Sequence, residues 1–289
     1  MLNPSHRFLA DLLLLSVAIA WGATFVVVKE SIENTPVFSF LFLRFGLAAL
    51  VLLPFALRSP QFRNPALWRT AALLGTLYFA AFTTQTFGLL TIGASMSAFL
   101  TGLYVLIVPF LLWAFFHRPP RRRVFAASLI AVAGLWLLTS PGDSGAGTAL
   151  EAGELLTLAC AVLFALHIIA TDWATHRFDP FPLVTLQLAT VTLLSFLASL
   201  FLEPSTWPRS FDGGLVESLL ITGILATAYA LLVQTWMQRY TTPTRTAIIF
   251  AMEPVSAALF GYWVAGELLT ALQLAGGALI VGAMILAEL

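Results

Sequence analysis

The feature that most limits what this chain can become is a series of apolar runs, each long enough to cross a bilayer and separated from the next by a brief polar turn. The hydrocarbon core of a membrane is ~30 Å thick and a helix rises ~1.5 Å per residue, so roughly 17–25 apolar residues span it. By that measure ten spans are expected, near residues 9–28, 37–57, 70–90, 95–116, 124–139, 155–171, 182–202, 218–236, 246–265 and 268–287. The run at 124–139 is short and must borrow flanking residues. Of the 289 residues 60% are hydrophobic and 10% charged, against ~25% charged in an ordinary soluble domain, so the solvent implied is lipid. An all-α integral membrane protein follows, because in lipid every backbone polar group must be paired within a helix or face a protected cavity.

Basic residues orient the spans, since they concentrate on the cytoplasmic side. With the amino terminus inside, that side holds Arg7, then Arg58, Arg63 and Arg69, then Arg118, Arg121, Arg122 and Arg123, then Arg177, then Arg239 and Arg245. The opposite side holds Lys29 and Arg209. Both termini are therefore expected in the cytoplasm, in a multi-pass protein of the inner (cytoplasmic) membrane. His6 and Arg7 before the first run, with Ala18-Ile19-Ala20 inside it, resemble a secretory signal. The run continues through WGATFVVV past the length of a signal core, so it is read as a retained span.

The chain also repeats itself. Gln85-Thr86 aligns with Gln234-Thr235, and the same offset of 149 residues places Ala98 over Ala247 and Tyr104 over Glu253. Earlier in each half, Trp21–Phe25 (WGATF) aligns with Phe164–Ile168 (FALHI), and the second span of each half carries a polar residue, Arg44 or Gln187. A unit with an odd number of spans, repeated once, enters the membrane from opposite sides. The expected organisation is a first five-helix repeat over residues 1–139, an external acidic linker over 140–154 and a second five-helix repeat over 155–289, inverted and enclosing a central cavity. Inverted repeats of this kind build secondary transporters with a site near the midplane.

Within the ninth run a carboxylate and a proline stand side by side, Glu253-Pro254. A proline in a helix interior costs ~3 kcal/mol, and an acidic side chain near the bilayer centre about 2.5–3.5 kcal/mol. Two such costs together point to a bend that opens a wet pocket, with Glu253 binding an ammonium group or exchanging a proton. The alternative is a neutral or Arg44-paired Glu253 that only holds helices together. Pro109 is the corresponding bend candidate in span four, four residues later than the repeat partner of Pro254. Trp21, Gln85, Thr101, Tyr104, His167, Gln234 and Ser256 lie at comparable depth or one turn from Glu253 and complete the candidate substrate site. Each has a packing alternative: close approach for Trp21 beside Gly22, a satisfied core imidazole for His167, helix cross-links for the glutamines, snorkelling for Arg44. Aromatic walls with a few amides and one carboxylate suit a neutral or zwitterionic, partly apolar solute rather than a polyanion.

Other chemistries find little support. Gly142-Asp143-Ser144-Gly145 repeats a protease-like tetrad but sits in a loop without a nearby histidine. HExxH, paired CxxC and Walker-type patterns do not occur, so no enzyme, metal or cofactor is expected. The balanced charge gives no reason to expect nucleic acid. Cys160, alone in an apolar run, is read as a packing residue.

The stretches WGATFVVVK, LRFGLAAL, ASMSAFLTGLYVLIVP and above all EPVSAALFGYWVAGE resemble EamA-type members of the drug/metabolite transporter superfamily, over essentially the whole chain. That resemblance implies a ten-helix exporter fold with a central cavity and substrates such as amino acids, other small metabolites or drugs. Three readings stay open: export of amino acids or similar amphipathic metabolites by alternating access, broad drug/proton antiport, and a non-transporting scaffold or sensor. The residues alone leave the solute, the direction, the role of protons and the oligomeric state unassigned.

Overall fold

A computed structural model describes residues 4–117, 119–139, 150–205, 207–208, 211–241, 246 and 249–288. Among them all regular structure is helical. Residues 140–149 of the linker expected over 140–154, with its protease-like tetrad, and Arg118, Arg209, Arg245 and Ala247 lie outside the described residues.

Several of the helices start where a neighbouring side chain accepts from their first N–H groups. The chain opens with α1 (Pro4–Asn34) and α2 (Val37–Ala56), divided at Thr35-Pro36, where the proline disfavours helical backbone in the residue before it. A 3₁₀ turn, Pro60–Arg63, leads to α3 (Pro65–Leu89), which begins with a proline at its first position and Asn64 accepting from the Ala66 N–H at 2.9 Å. Then come α4 (Ala94–Gly102), α5 (Tyr104–Phe116) and α6 (Arg122–Thr139). The second half begins with α7 (Ala152–Thr175), opened by a capping box between Glu151 and Glu154, and α8 (Pro180–Leu202). Next is α9 (Gly213–Leu220), capped by Asp212, which runs without interruption through a π-helical segment, Ile221–Tyr229, into α10 (Ala230–Met237). The last helices are α11 (Met252–Ala265) and α12 (Ala271–Glu288).

Six of the described helical stretches are long and apolar enough to cross a membrane: Phe8–Asn34, Val37–Ala56, Ala94–Phe116, Ala152–Thr175, Pro180–Leu202 and Gly213–Tyr240. Apolar side chains cover the outside of the bundle: Leu193, Leu200 and Phe201 on α8, and Leu129, Val132 and Trp136 on the shorter α6, stand exposed. Contiguous exposed apolar area on this scale belongs in hydrocarbon.

The helices pack in a particular set of pairs: α2 along α8, α6 along α12, α3 against both α7 and α8, α1 against α11, and α7 against α4 and α5. The π-helical segment lies on α2, and α10 with that segment lies on α1. Small residues permit the closest crossings. Gly134 on α6 and Gly276 on α12 face each other's backbone, so that a Cβ at either would fall within 2.7 Å of a neighbouring carbonyl oxygen.

The fourth span breaks, but not at Pro109. Helical geometry is interrupted at Leu103, whose N–H bonds Leu100 O in a tightened 3₁₀ step, and Pro109 lies more than a turn further on inside the continuous α5. The ninth run breaks at Ala251, just before α11, so Pro254 falls in the first turn of the helix that follows. A first-turn proline lacks only an N–H that would have no intrahelical acceptor, so the interior penalty is avoided. Leu103 and Ala251 are within one residue of the 149-residue offset, and Gly102 lies 3.5 Å from the Pro254 ring as measured from a Cβ built on the glycine. The two interruptions thus fall in nearly the same register of that offset, although the two prolines do not.

Candidate functional site

The interrupted helices border a chamber whose walls leave a free volume of only about 40 Å³. That is enough for a few waters, so admitting an organic solute requires the walls to move.

Helical periodicity assembles the walls. Trp21, Thr24, Phe25 and Val28 form one face of α1, and Tyr78, Phe82, Gln85 and Leu89 one face of α3. Arg44 enters from α2, Thr101 from the end of α4, Tyr104 from the start of α5, Phe164, His167 and Ile168 from α7, Gln234 from α10, and Phe250 and Glu253 from either side of the Ala251 break. Of the eight candidate substrate-site residues, seven therefore meet in one cavity. Ser256 does not line it: Ser256 is buried where α11 crosses Gly22 of α1, and its Cβ helps close that contact.

Glu253 is 4% exposed, and its Oε2 accepts a 3.1 Å hydrogen bond from the Tyr104 hydroxyl. These are the two residues that the repeat aligns with each other. Arg44 is 2% exposed and neither snorkels nor pairs with Glu253. Its Nε donates to Thr227 Oγ1 at 2.9 Å, and its guanidinium lies 4.8 Å above the Phe82 ring and 5.3 Å from that of Phe45. Thr227 in turn donates to Thr222 O, five residues back, as the π-helical segment allows. The expected alternative of an Arg44–Glu253 ion pair is thus absent. An aromatic platform and a neutral hydroxyl hold the cation on one wall while the carboxylate stands on another.

The remaining polar groups divide into satisfied and open. Trp21 Nε1 donates to Ala226 O at 2.8 Å while its ring packs edge-on against Phe250 at 5.1 Å, so it both packs and lines the chamber. Gln85 Nε2 donates to Thr101 Oγ1 at 3.2 Å. His167 accepts at Nε2 from the Gln187 amide at 2.9 Å, which places the proton of the neutral ring on Nδ1. Tyr78 Oη and Gln234 Oε1 are buried without a partner among the described residues, so a solute or water would satisfy them.

Sequence reasoning missed much of the aromatic wall. Tyr78, Phe82 and Phe25 sit in apolar runs where a chamber residue and a lipid-facing one read alike, whereas Phe250 lies within a turn of Glu253. Phe164 was within reach, because the repeat sets it opposite Trp21, and so was Thr24, which the same alignment sets opposite His167.

The profile of the EamA-like transporter family matches residues 8–140 and again residues 151–289. A protein of Archaeoglobus fulgidus described as an uncharacterized transporter is 32% identical over 283 residues, covering 98% of this chain and 87% of its own length. A second Archaeoglobus fulgidus protein of the same description is 25% identical over 279 residues, 93% of each chain. A solved structure, titled only as the crystal structure of a protein, superposes with a TM-score of 0.73 over 96% of both chains at 21% identity, a likeness of fold.

Proposed function

We propose that this chain, which belongs to the EamA-like transporter family of the drug/metabolite transporter superfamily, exports amino acids or similar zwitterionic, partly apolar metabolites by alternating access at the central chamber. Membership makes it a multi-pass membrane transporter. The finer reading has the chain cross the inner membrane ten times with both termini in the cytoplasm, as two inverted five-helix repeats.

The packing supports the repeat. Let the ten spans be α1, α2, α3, α4–α5 and α6, then α7, α8, α9–α10, α11 and α12. Exchanging the halves carries α3–α7 onto α9–α10 against α1, α4–α5 against α7 onto α11 against α1, and α3–α8 onto the π-helical segment against α2. The pairs α2–α8 and α6–α12 map onto themselves. Tyr104 and Glu253, equivalent under the exchange, bond to each other, as residues beside a two-fold axis do.

The observation that carries the substrate class is that Arg44 and Glu253 share one chamber, both almost fully buried, without pairing. A buried charge needs a counter-charge. A solute with a carboxylate for Arg44 and an ammonium for Glu253 supplies both, and seven aromatic side chains receive its apolar part. Truncating one partner of a buried charge pair costs about 2–5 kcal/mol, which is roughly 30-fold or more in affinity. In proteoliposomes, wild type should prefer a branched or aromatic amino acid over both its amide and its N-acetyl derivative. Arg44→Gln should erase the preference over the amide, and Glu253→Gln the preference over the N-acetyl compound. Unchanged selectivity in both variants would defeat the reading. Inhibition by lipophilic cations with none by amino acids would favour broad drug/proton antiport instead, for which the same aromatic wall and carboxylate would serve.

A further inference from the structure

Two helices that start on the side assigned to the exterior lack a cap of their own. The residues at their N-caps are Pro36 for α2 and Gly93 for α4, and neither has a side chain that can accept. Leading N–H groups left without acceptors are expensive in a dry setting. In both cases a glutamate from the other half of the chain supplies the acceptor. Glu203, which closes α8, accepts from Phe38 N–H at 2.7 Å, Ser39 N–H at 3.0 Å and Ser39 Oγ at 2.9 Å. Glu267, just beyond α11, accepts from Ala94 N–H at 2.7 Å, Ser95 N–H at 3.0 Å and Ser95 Oγ at 2.6 Å. The same three-donor arrangement thus occurs twice, each time joining the two halves.

The local sequence is shaped around the second clamp. Gly266 takes the left-handed conformation, φ 65°, and ends α11, and the Glu267 N–H returns to Gly261 O at 2.9 Å, which turns the carboxylate toward α4. A side chain at Gly261 would meet Ser95 Oγ at 2.5 Å and Glu267 Oε2 at 2.8 Å, and one at Gly93 would meet Glu267 Oε1 at 3.1 Å. Lys29 Nζ donates to Ile92 O at 2.9 Å and ties the same loop to α1. Directly beneath, Leu89 at the end of α3 and Val28 on α1 form the outer end of the chamber. The glutamate that completes the family-like stretch EPVSAALFGYWVAGE is therefore bonded to the loop that roofs the cavity.

We propose that Glu267, with Glu203 as its counterpart on α2, is the latch that keeps the outer face of the chamber closed, and that release of α4 from Glu267 opens the chamber outward. The inference rests on the alternating-access reading, since bonds between halves matter to function only if the halves move. Burial alone would raise the Glu267 carboxyl, but the Ser95 hydroxyl, the Ser95 and Ala94 N–H groups and Lys29 outweigh it and hold it below its ordinary value. The latch is thereby kept ionised and engaged.

The test uses the full chain with its single native cysteine replaced, Cys160→Ala, and one reporter at a time: Leu89→Cys at the outer end or Ile168→Cys on the deep part of α7. A membrane-impermeant maleimide is applied from one side. E267Q should raise the external labelling rate at Leu89→Cys by at least about tenfold, since a hydrogen bond to a charged group contributes more than the ~1.4 kcal/mol that corresponds to that ratio. It should lower cytoplasmic labelling at Ile168→Cys, because opening one face closes the other. Ser95→Ala removes one donor of three and should give a smaller rise, while E203Q gives a rise of its own; these two carry the test should E267Q not fold. An unchanged external rate in the folded variants, or a rise at both reporters as from general loosening, would overturn the latch. Labelling reads accessibility and not flux. A latch that behaves as described in a protein moving no amino acid would refute the substrate reading alone, and normal amino-acid flux with unaltered labelling would refute the latch alone.

Discussion

Gly22→Ala tests whether the wall carrying Glu253 is held in place by close helix crossing. A Cβ at Gly22 would meet Ser256 Cβ at 2.6 Å, Ala257 N at 2.8 Å and the carbonyl oxygen of Glu253 itself. Ordinary contacts begin at 3.4 Å, so α1 and α11 stand about 0.8 Å too close for an alanine. Two of the three obstructing atoms are backbone and cannot rotate away, so the helices themselves must separate. Overpacking of this kind costs about 1–3 kcal/mol. The shift also draws Trp21 away from Phe250 and moves Glu253 relative to Tyr104. Gly282→Ala on α12 is the internal control, because nothing lies within 4 Å of its added methyl. It should be neutral, or stabilising by up to ~1 kcal/mol through helix propensity. Reversible denaturation in mixed detergent micelles measures both. If Gly22→Ala is as stable as Gly282→Ala, the crossing is not tight, and the argument that backbone contact positions Glu253 fails.

Two further outcomes follow from particular bonds. Because Glu267 is held below its ordinary value of 4.5 in the folded protein, its contribution is complete above that value and is lost only as pH falls through the lower folded one. External labelling of Leu89→Cys, divided at each pH by the rate of a free thiol so that the loss of reactive thiolate cancels, should stay flat from pH 7 to about 5 and rise only in stronger acid; a rise beginning near pH 6 would contradict this, with Lys29 the charged neighbour to examine. Trp21→Phe keeps a ring against Phe250 but removes the donor to Ala226 O, so it should destabilise by about 1–3 kcal/mol in the same denaturation assay.

The Glu253-Pro254 pair shows how far local costs can be read. Taken alone it announced a functional carboxylate beside a helix irregularity, and the chamber does form there. The proline suggested the wrong kind of irregularity, since Pro254 follows a break at Ala251 and the matching break at Leu103 has no proline nearby. What the two breaks share is position against the chamber, where backbone departing from helix can meet water or polar side chains. Arg44 is the converse case. A lone arginine in an apolar run reads equally as snorkelling, pairing or ligand, and only the packing of Phe82, Phe45 and Thr227 around it separates these.

That this chain is helical and lies in a membrane could be read from its amino acids, because hydrocarbon forbids unpaired backbone and so ties span length directly to apolar run length. The sequence also marked most of the polar groups of the chamber, since a polar residue at that depth is costly enough to stand out. Which aromatic residues form the wall, that Arg44 and Glu253 remain apart, and that glutamates from one half cap helices of the other emerge from the packing alone. Those facts depend on residues far apart in the chain meeting at a rotation and depth set by helix crossing, and in an apolar solvent a ring facing lipid and a ring facing the chamber leave the same trace in the sequence.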